Sequence, residues 1–278
     1  MLPKKVLKAI MKRDIELEFK NSEILRKNLA EARNNIKKSL KSEDIFSAKL
    51  NKILDEYLEG LAEKATSEVD IQGTIDHGVS QGKKVLTETI DIPMGDSFQD
   101  WMPVLPINAI SLERAKMADK IKEVADDLKD KILRKAQIGL AQGATTQQVM
   151  DEILGTGLRG LKGRDGVFRS ATHRAETIGR SITNEIINKG ALQTYSQVSE
   201  KSPELGLRKV WQAVSDHRTS EICSNLDNQV VDMGDKFPGG FETPPAHPNC
   251  RSRITVLPKK KWDQNEQKGK YPPSENLR

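Results

Sequence analysis

For most of this chain the apolar residues recur at helical spacing, and only near the C-terminus do they switch to a strand-like pattern. In EILRKNLAEARNNIKKSL, Ile24, Leu25, Leu29, Ile36 and Leu40 fall close to one helical period, which predicts an amphipathic helix. IFSAKLNKILDEYLEGLAEKA does the same with Ile45, Leu50, Ile53, Leu54, Leu58 and Leu61, and Ser42 with Asp44 offers its start. Residues 4–66 therefore read as helix almost throughout. Two such stripes fold as an antiparallel hairpin within one bundle, or one of them lies on a partner. A further helix is expected over 70–90 after Asp70. Others follow over 111–143, stopped by Gly143, and in TTQQVMDEILG, where Thr145 is the candidate N-cap. A long helix covers about 169–199, with Ala175, Ile178, Ile182, Ile186 and Ala191 at helical intervals. Beyond it KVWQAV, NQVVDM and RSRITVL read as short strands. The fold class expected is α+β, mostly α, with long helices leading into a small C-terminal β-rich unit.

Two stretches interrupt the helices. IDIPMGDSFQDWMPVLPIN holds Pro93, Gly95, Pro103 and Pro106, so it reads as a linker or surface loop. GTGLRGLKGRDG, 155–166, is a flexible connection. It lacks the lysine-serine/threonine ending and strand–helix context of a phosphate-cradling loop. The division expected is a helical region 1–92, a Pro-rich linker 93–110, a domain 111–257 and a basic tail 258–278. Within that domain, helices occupy 111–199 and the β-rich unit 207–257.

Composition narrows the setting. Mean hydropathy is −0.60, and no apolar run nears the roughly 18 residues that a membrane span requires. The N-terminal MLPKKVLKAIMKRDIELEF has charges scattered through it, unlike the apolar stretch of a secretory signal. The expectation is a protein made and used in a reducing cytoplasm. Aromatic residues make up only 4%, so any aromatic core is thin. The net charge of +5 is uneven: residues 1–41 carry +7, residues 258–278 carry +3, and the middle is −5. Basic ends on an acidic body suit a polyanion or an acidic partner. Lys4, Lys5, Lys8, Lys12 and Arg13 at one end, and Lys259, Lys260 and Lys261 beside Trp262 at the other, are candidates for DNA phosphates. The competing reading makes them solvated helix faces and a soluble tail.

Candidate chemistry is concentrated in the last quarter. The chain has two cysteines and four histidines, and TPPAHPNCRSRITVL places His247 three residues before Cys250 in a proline-stiffened turn. Cys223, His247 and Cys250 are zinc-type ligands, with His217 or Asp216 available as a fourth. A structural zinc would staple the loop 224–246 to the strand beginning near Arg251. Two alternatives stay open. One is a Cys223–Cys250 disulfide, disfavoured by a reducing compartment. In the other, both cysteines are small buried hydrophobes and His247 bonds locally. In every case Asp216, Arg218 and Arg251 suit a local salt-bridge network. No cofactor is certain. Catalysis is not expected: the H-x-E with P-C-x-x-C of zinc deaminases, H-E-x-x-H and G-x-S-x-G are all missing, and His77 and His173 stand alone.

The stretch from KVWQAVSDHRTSEICSNLDNQVV to PPAHPNCRSRITVLP resembles the C-terminal signature of the Mu-F-like phage head morphogenesis family. Trp211, Asp216, Arg218, Thr219, Cys223, Leu226, Asp227, His247, Pro248, Asn249, Cys250 and Arg251 carry the match. AQGATTQQVMDEILG and AETIGRSITNEIINKGALQTY look like the family's helices, so the likeness covers roughly 125–257. Asn228 stands where the family often has Gly, Ser252 where many members have a second Cys, and Ser181 where Thr is usual. The resemblance implies a minor head protein of a tailed bacteriophage, made in the host cytoplasm. It would reside inside the head in a few copies near the portal protein, beside packaged double-stranded DNA and other head proteins. It would act by binding, in assembly, DNA packaging or DNA release. Two alternatives belong to other classes: a nucleic-acid-processing or toxin-related metalloenzyme, and a DNA-binding adaptor.

Overall fold

The computed structural model describes residues 4–41, 44–90, 103–104, 108–155, 166–214 and 216–261. Ser42, most of the Pro-rich segment, residues 156–165, Trp262 and the rest of the tail lie outside them, as do the side chains of Lys4 and Lys5. Eight α-helices are seen among the described residues: α1 Lys4–Ser39, α2 Ala48–Leu58, α3 Leu61–Ser67, α4 Ile71–Thr89, α5 Ala109–Ala141, α6 Thr146–Leu154, α7 Phe168–Lys201 and α8 Glu221–Leu226. Three strands follow β1–β3 order in sequence: Arg208–Gln212, Val230–Asp232 and Arg253–Leu257. The protein is α+β and mostly α, as the periodicity implies.

The near-continuous helix expected over 4–66 is in fact three. Ser47, not the Ser42 region, starts α2, its hydroxyl accepting from Lys49 N at 3.2 Å. Gly60, at φ 75, then separates α2 from α3, a backbone state that costs glycine little. Thr145 caps α6 in a full capping box with Gln148.

The chain forms two compact units from interleaved segments: 1–18, 71–110 and 181–278 in one, 19–70 and 111–180 in the other. The sequence reading instead divides the chain in succession. Among its described residues the second unit has helices and no strand. Leu25, Leu29 and Ile36 of α1, Leu50, Leu54 and Leu58 of α2, and Met117, Ile121, Leu128 and Ile132 of α5 are buried.

The first unit carries the sheet, ordered β2-β1-β3 and antiparallel throughout. Period-two alternation splits its side chains between two faces. Trp211, Val231, Ile254 and Val256 join a core with Val85 and Leu86 of α4 and Ala191 and Tyr195 of α7. Val210, Val230 and Leu257 form a smaller cluster. The aromatic core is thin but concentrated. Trp211 is fully buried and meets Phe237 edge-on at 5.3 Å and Phe241 at 6.1 Å. Within the same unit α4 and α7 approach closely: a Cβ on Gly78 would sit 2.4 Å from the Ile187 carbonyl oxygen. Only a glycine permits that spacing.

Candidate metal centre

The centre is assembled by turns on either side of the sheet. After β1 the chain enters a tight turn in which Asp216 Oδ1 accepts from Arg218 N at 2.9 Å and the Thr219 hydroxyl donates to the Val214 carbonyl. Ser220 follows as the N-cap of α8, its hydroxyl accepting from Cys223 N at 3.2 Å. That cap fixes Cys223 in the helix's first turn. Leu226 then enters the core, Asp227 Oδ1 accepts from Ala213 N at 2.8 Å, and Asn228 adopts φ 63. A left-handed residue is required there, and asparagine tolerates it, which accounts for its standing in for glycine.

The second arm comes back through the prolines. Asn249 is also left-handed, at φ 57, and the turn closes with Cys250 N donating to the His247 carbonyl at 3.1 Å. Helix α7 holds this turn from below: Asn249 N donates to Ser181 Oγ at 3.0 Å and Asn184 Nδ2 donates to the Cys250 carbonyl at 2.6 Å. Arg251 reaches across and grips Asp216 with both terminal nitrogens, at 2.6 and 2.7 Å. Its hydrogen bonds hold the Asp216 carboxyl well below the usual carboxylate range. Arg218 sits at the margin of the pair, 4.0 Å away and exposed.

These arms bring Cys223, His247 and Cys250 together, with ligand atoms all within 4.8 Å of one another. Cys223 Sγ lies 3.1 Å from His247 Nε2 and 3.5 Å from Cys250 Sγ. His247 Nδ1–H donates to the Pro248 carbonyl at 2.9 Å. The carbonyl can only accept, so Nδ1 carries a proton and Nε2 is the nitrogen that faces the sulfurs, the orientation a metal ligand needs. Ser220 Oγ lies 2.8 Å from Nε2, within hydrogen-bond distance. The Cys250 thiol hydrogen-bonds Cys223, which outweighs burial and lowers the Cys223 thiol to about 6. The same bond, with burial, raises Cys250.

Distances decide what this cluster can become. Tetrahedral zinc, with bonds of about 2.3 Å to sulfur and about 2.05 Å to nitrogen, needs an S···S edge of about 3.8 Å and an S···N edge of about 3.6 Å. The observed separations require an outward shift of a few tenths of an ångström. A disulfide needs contraction to about 2.05 Å, a much larger movement, and both thiols are free. His217 is exposed and outside the cluster, and Asp216 is occupied by Arg251. Among the described residues the cluster therefore has three ligand groups.

A second constellation in this unit was not foreseen. Arg253, on β3, donates from Nε to Asp14 Oδ2 and from Nη2 to Glu18 Oε1, each at 2.6 Å, with all three side chains at least 94% buried. His77, alone in sequence, donates to Asp14 Oδ1 at 2.7 Å. Burial pushes both carboxyls up. Arg253 with His77 overcomes this for Asp14, which ends below its usual value, whereas Glu18 stays above. One guanidinium fully compensates only one of two buried carboxylates. Above it, Asn188 Nδ2 donates to Asn184 Oδ1 at 2.7 Å, and Asn188 Oδ1 accepts from Ile254 N at 2.9 Å. The available sequence signal was polar: Ser181, Asn184 and Asn188 recur at helical spacing within an isoleucine-rich stripe, and Asp14 and Glu18 are four apart.

The basic residues are placed separately. Lys8, Lys12 and Arg13 are exposed on α1, and Lys259 and Lys260 are exposed after β3, with Lys261 half-buried. No helix among the described residues is long and apolar enough to cross a membrane.

Residues 126–255 match the family described as Phage Mu protein F like protein, a phage head-related family. The matched span takes in Trp211, the Asp216–Arg251 grip and the whole Cys223–His247–Cys250 centre. No curated protein and no solved structure matches the chain.

Proposed function

We propose that this chain, whose residues 126–255 form a phage Mu protein F like region, is a minor structural protein of a tailed-phage head that binds the portal from inside the capsid. One observation carries the reading. The matched segment ends in a clasp whose polar groups are spent on holding two loops to a helix and a strand. Asp216 is consumed by Arg251, Ser220 by the cap and His247, and Asn184 by a backbone carbonyl. Such a site fixes a surface. The Cys223, His247 and Cys250 cluster holds a structural zinc in this reading, stapling the 224–249 loop to β3. Lys8, Lys12, Arg13, Lys259 and Lys260 contact packaged DNA through phosphates, without sequence preference and with strong salt dependence. Assistance in head assembly, packaging or release follows from those two attachments.

The test is co-expression with the portal protein of the same phage, followed by affinity capture of portal rings. The full chain is expected to stay with the rings through a salt wash that strips DNA. A chain that washes off the rings while hydrolysing nucleic acid in a His247-dependent way would establish the metalloenzyme instead. Tight DNA binding with no retention on rings would establish the adaptor.

A further inference from the structure

The zinc reading leaves one coordination position to be assigned. Cys223, His247 and Cys250 supply three ligand atoms, and no fourth Cys, His, Asp or Glu joins them among the described residues. A fully structural zinc normally has four protein ligands, whereas three leave a position for water or an exogenous group. Beside the cluster lies a cavity of about 20 Å³, lined by both Cys223 and His247 together with Ser220, Ser252, Arg218 and Arg251. A volume of roughly 10–15 Å³ already admits one water. The cavity is therefore large enough for a single water or the head of a small anion.

Resting on the zinc reading, we propose that the centre binds its metal through three protein ligands and keeps an exchangeable fourth position, facing this cavity, for water or a small monodentate anion. Charge favours the anion. A divalent metal with two thiolates and a neutral imidazole carries no net charge. Arg251 is neutralised by Asp216, which holds both of its terminal nitrogens. Arg218 lines the cavity with its guanidinium 4.0 Å from Asp216 and two-thirds exposed, so it supplies the surplus positive charge. Ser220 and Ser252 line the same wall. Ser252 is buried. A cysteine there would bring a third sulfur, and with it a fourth ligand, to the same wall, whereas the serine leaves the position open.

The full chain, metal-stripped and reloaded with cobalt(II), reports this directly through its visible absorption. Stoichiometric uptake with thiolate-to-metal bands is expected, lost in Cys223→Ala and Cys250→Ala. Azide, added as the probe anion, is expected to shift the ligand-field bands in a saturable way. Arg218→Ala should weaken the half-saturating azide concentration roughly two- to fivefold, the effect of one exposed charge. Ser252→Cys should abolish the azide response while retaining the metal and adding thiolate intensity. Cobalt binding with no azide response in the wild-type chain overturns this inference and leaves the zinc reading standing. An azide response that appears only in Ser220→Ala overturns it too, by making the serine oxygen the fourth ligand. No cobalt uptake overturns both.

Discussion

The two compact units use charge in opposite ways. In the helical unit the ion pairs Arg26–Glu23, Lys64–Glu31, Lys129–Asp55 and Lys135–Glu152 all lie in the solvated surface. They decorate helices whose cohesion comes from leucine and isoleucine stripes. In the unit with the sheet, charge goes to the centre: Arg253 is enclosed by Asp14 and Glu18, and α7 spends Ser181, Asn184 and Asn188 on backbone groups of the turn and strand beside the Cys223–His247–Cys250 cluster. Exposed pairs contribute at most about 1 kcal/mol, while breaking a buried set by removing one partner costs roughly 3–5 kcal/mol. The difference teaches where specificity is placed. The β3 strand and its preceding turn are held at one register by groups that have no second place to go.

The comparison breaks most sharply at Arg253. Arg253→Met leaves Asp14 and Glu18 buried without a cation and should lower stability by about 3–5 kcal/mol in urea unfolding. A loss below about 1 kcal/mol would mean that the cluster is no more than a surface pair. Glu18→Gln sharpens the picture through pH. Because the folded carboxyl lies above its usual value of 4.5, the folded state holds the proton more tightly than the unfolded one. Its contribution is then present below pH 4.5 and is lost as pH rises through the folded value. The stability difference between wild type and Glu18→Gln should therefore fall as pH increases above 4.5. An increase would place the Glu18 carboxyl on the other side of its usual value. The smallest effect belongs to the helical unit, where Lys129→Ala should change stability by less than about 1 kcal/mol and lose even that in high salt.

Legibility divides along the same line. The helices of 71–89, 109–141, 146–154 and 168–201 follow from periodicity and caps, because amphipathic burial leaves its period in the sequence. The three strands are readable from their β-branched runs. The turn that ends α1 is less so, since Ser47 and Gly60 punctuate a pattern whose apolar stripe runs on across the breaks. At the site, the sequence suggests which residues matter, and the resemblance groups them. What it hides is three-dimensional: that neither His217 nor Asp216 joins Cys223, His247 and Cys250, and that His247 is oriented by the Pro248 carbonyl. The Arg253 network was invisible because its members are about 240 residues apart. Asp14 and Glu18 look in sequence like the polar face of an exposed helix, and only the return of β3 buries them.

The central claim is that this chain is a resident part of a phage head. Quantitative mass spectrometry of density-purified particles, counted against the portal protein, tests it most directly. The account predicts the chain in intact heads at a fixed, low ratio to portal subunits, still present after nuclease and high-salt washing of the particle exterior. Its absence from particles, with the whole pool soluble in the lysate, would contradict the account.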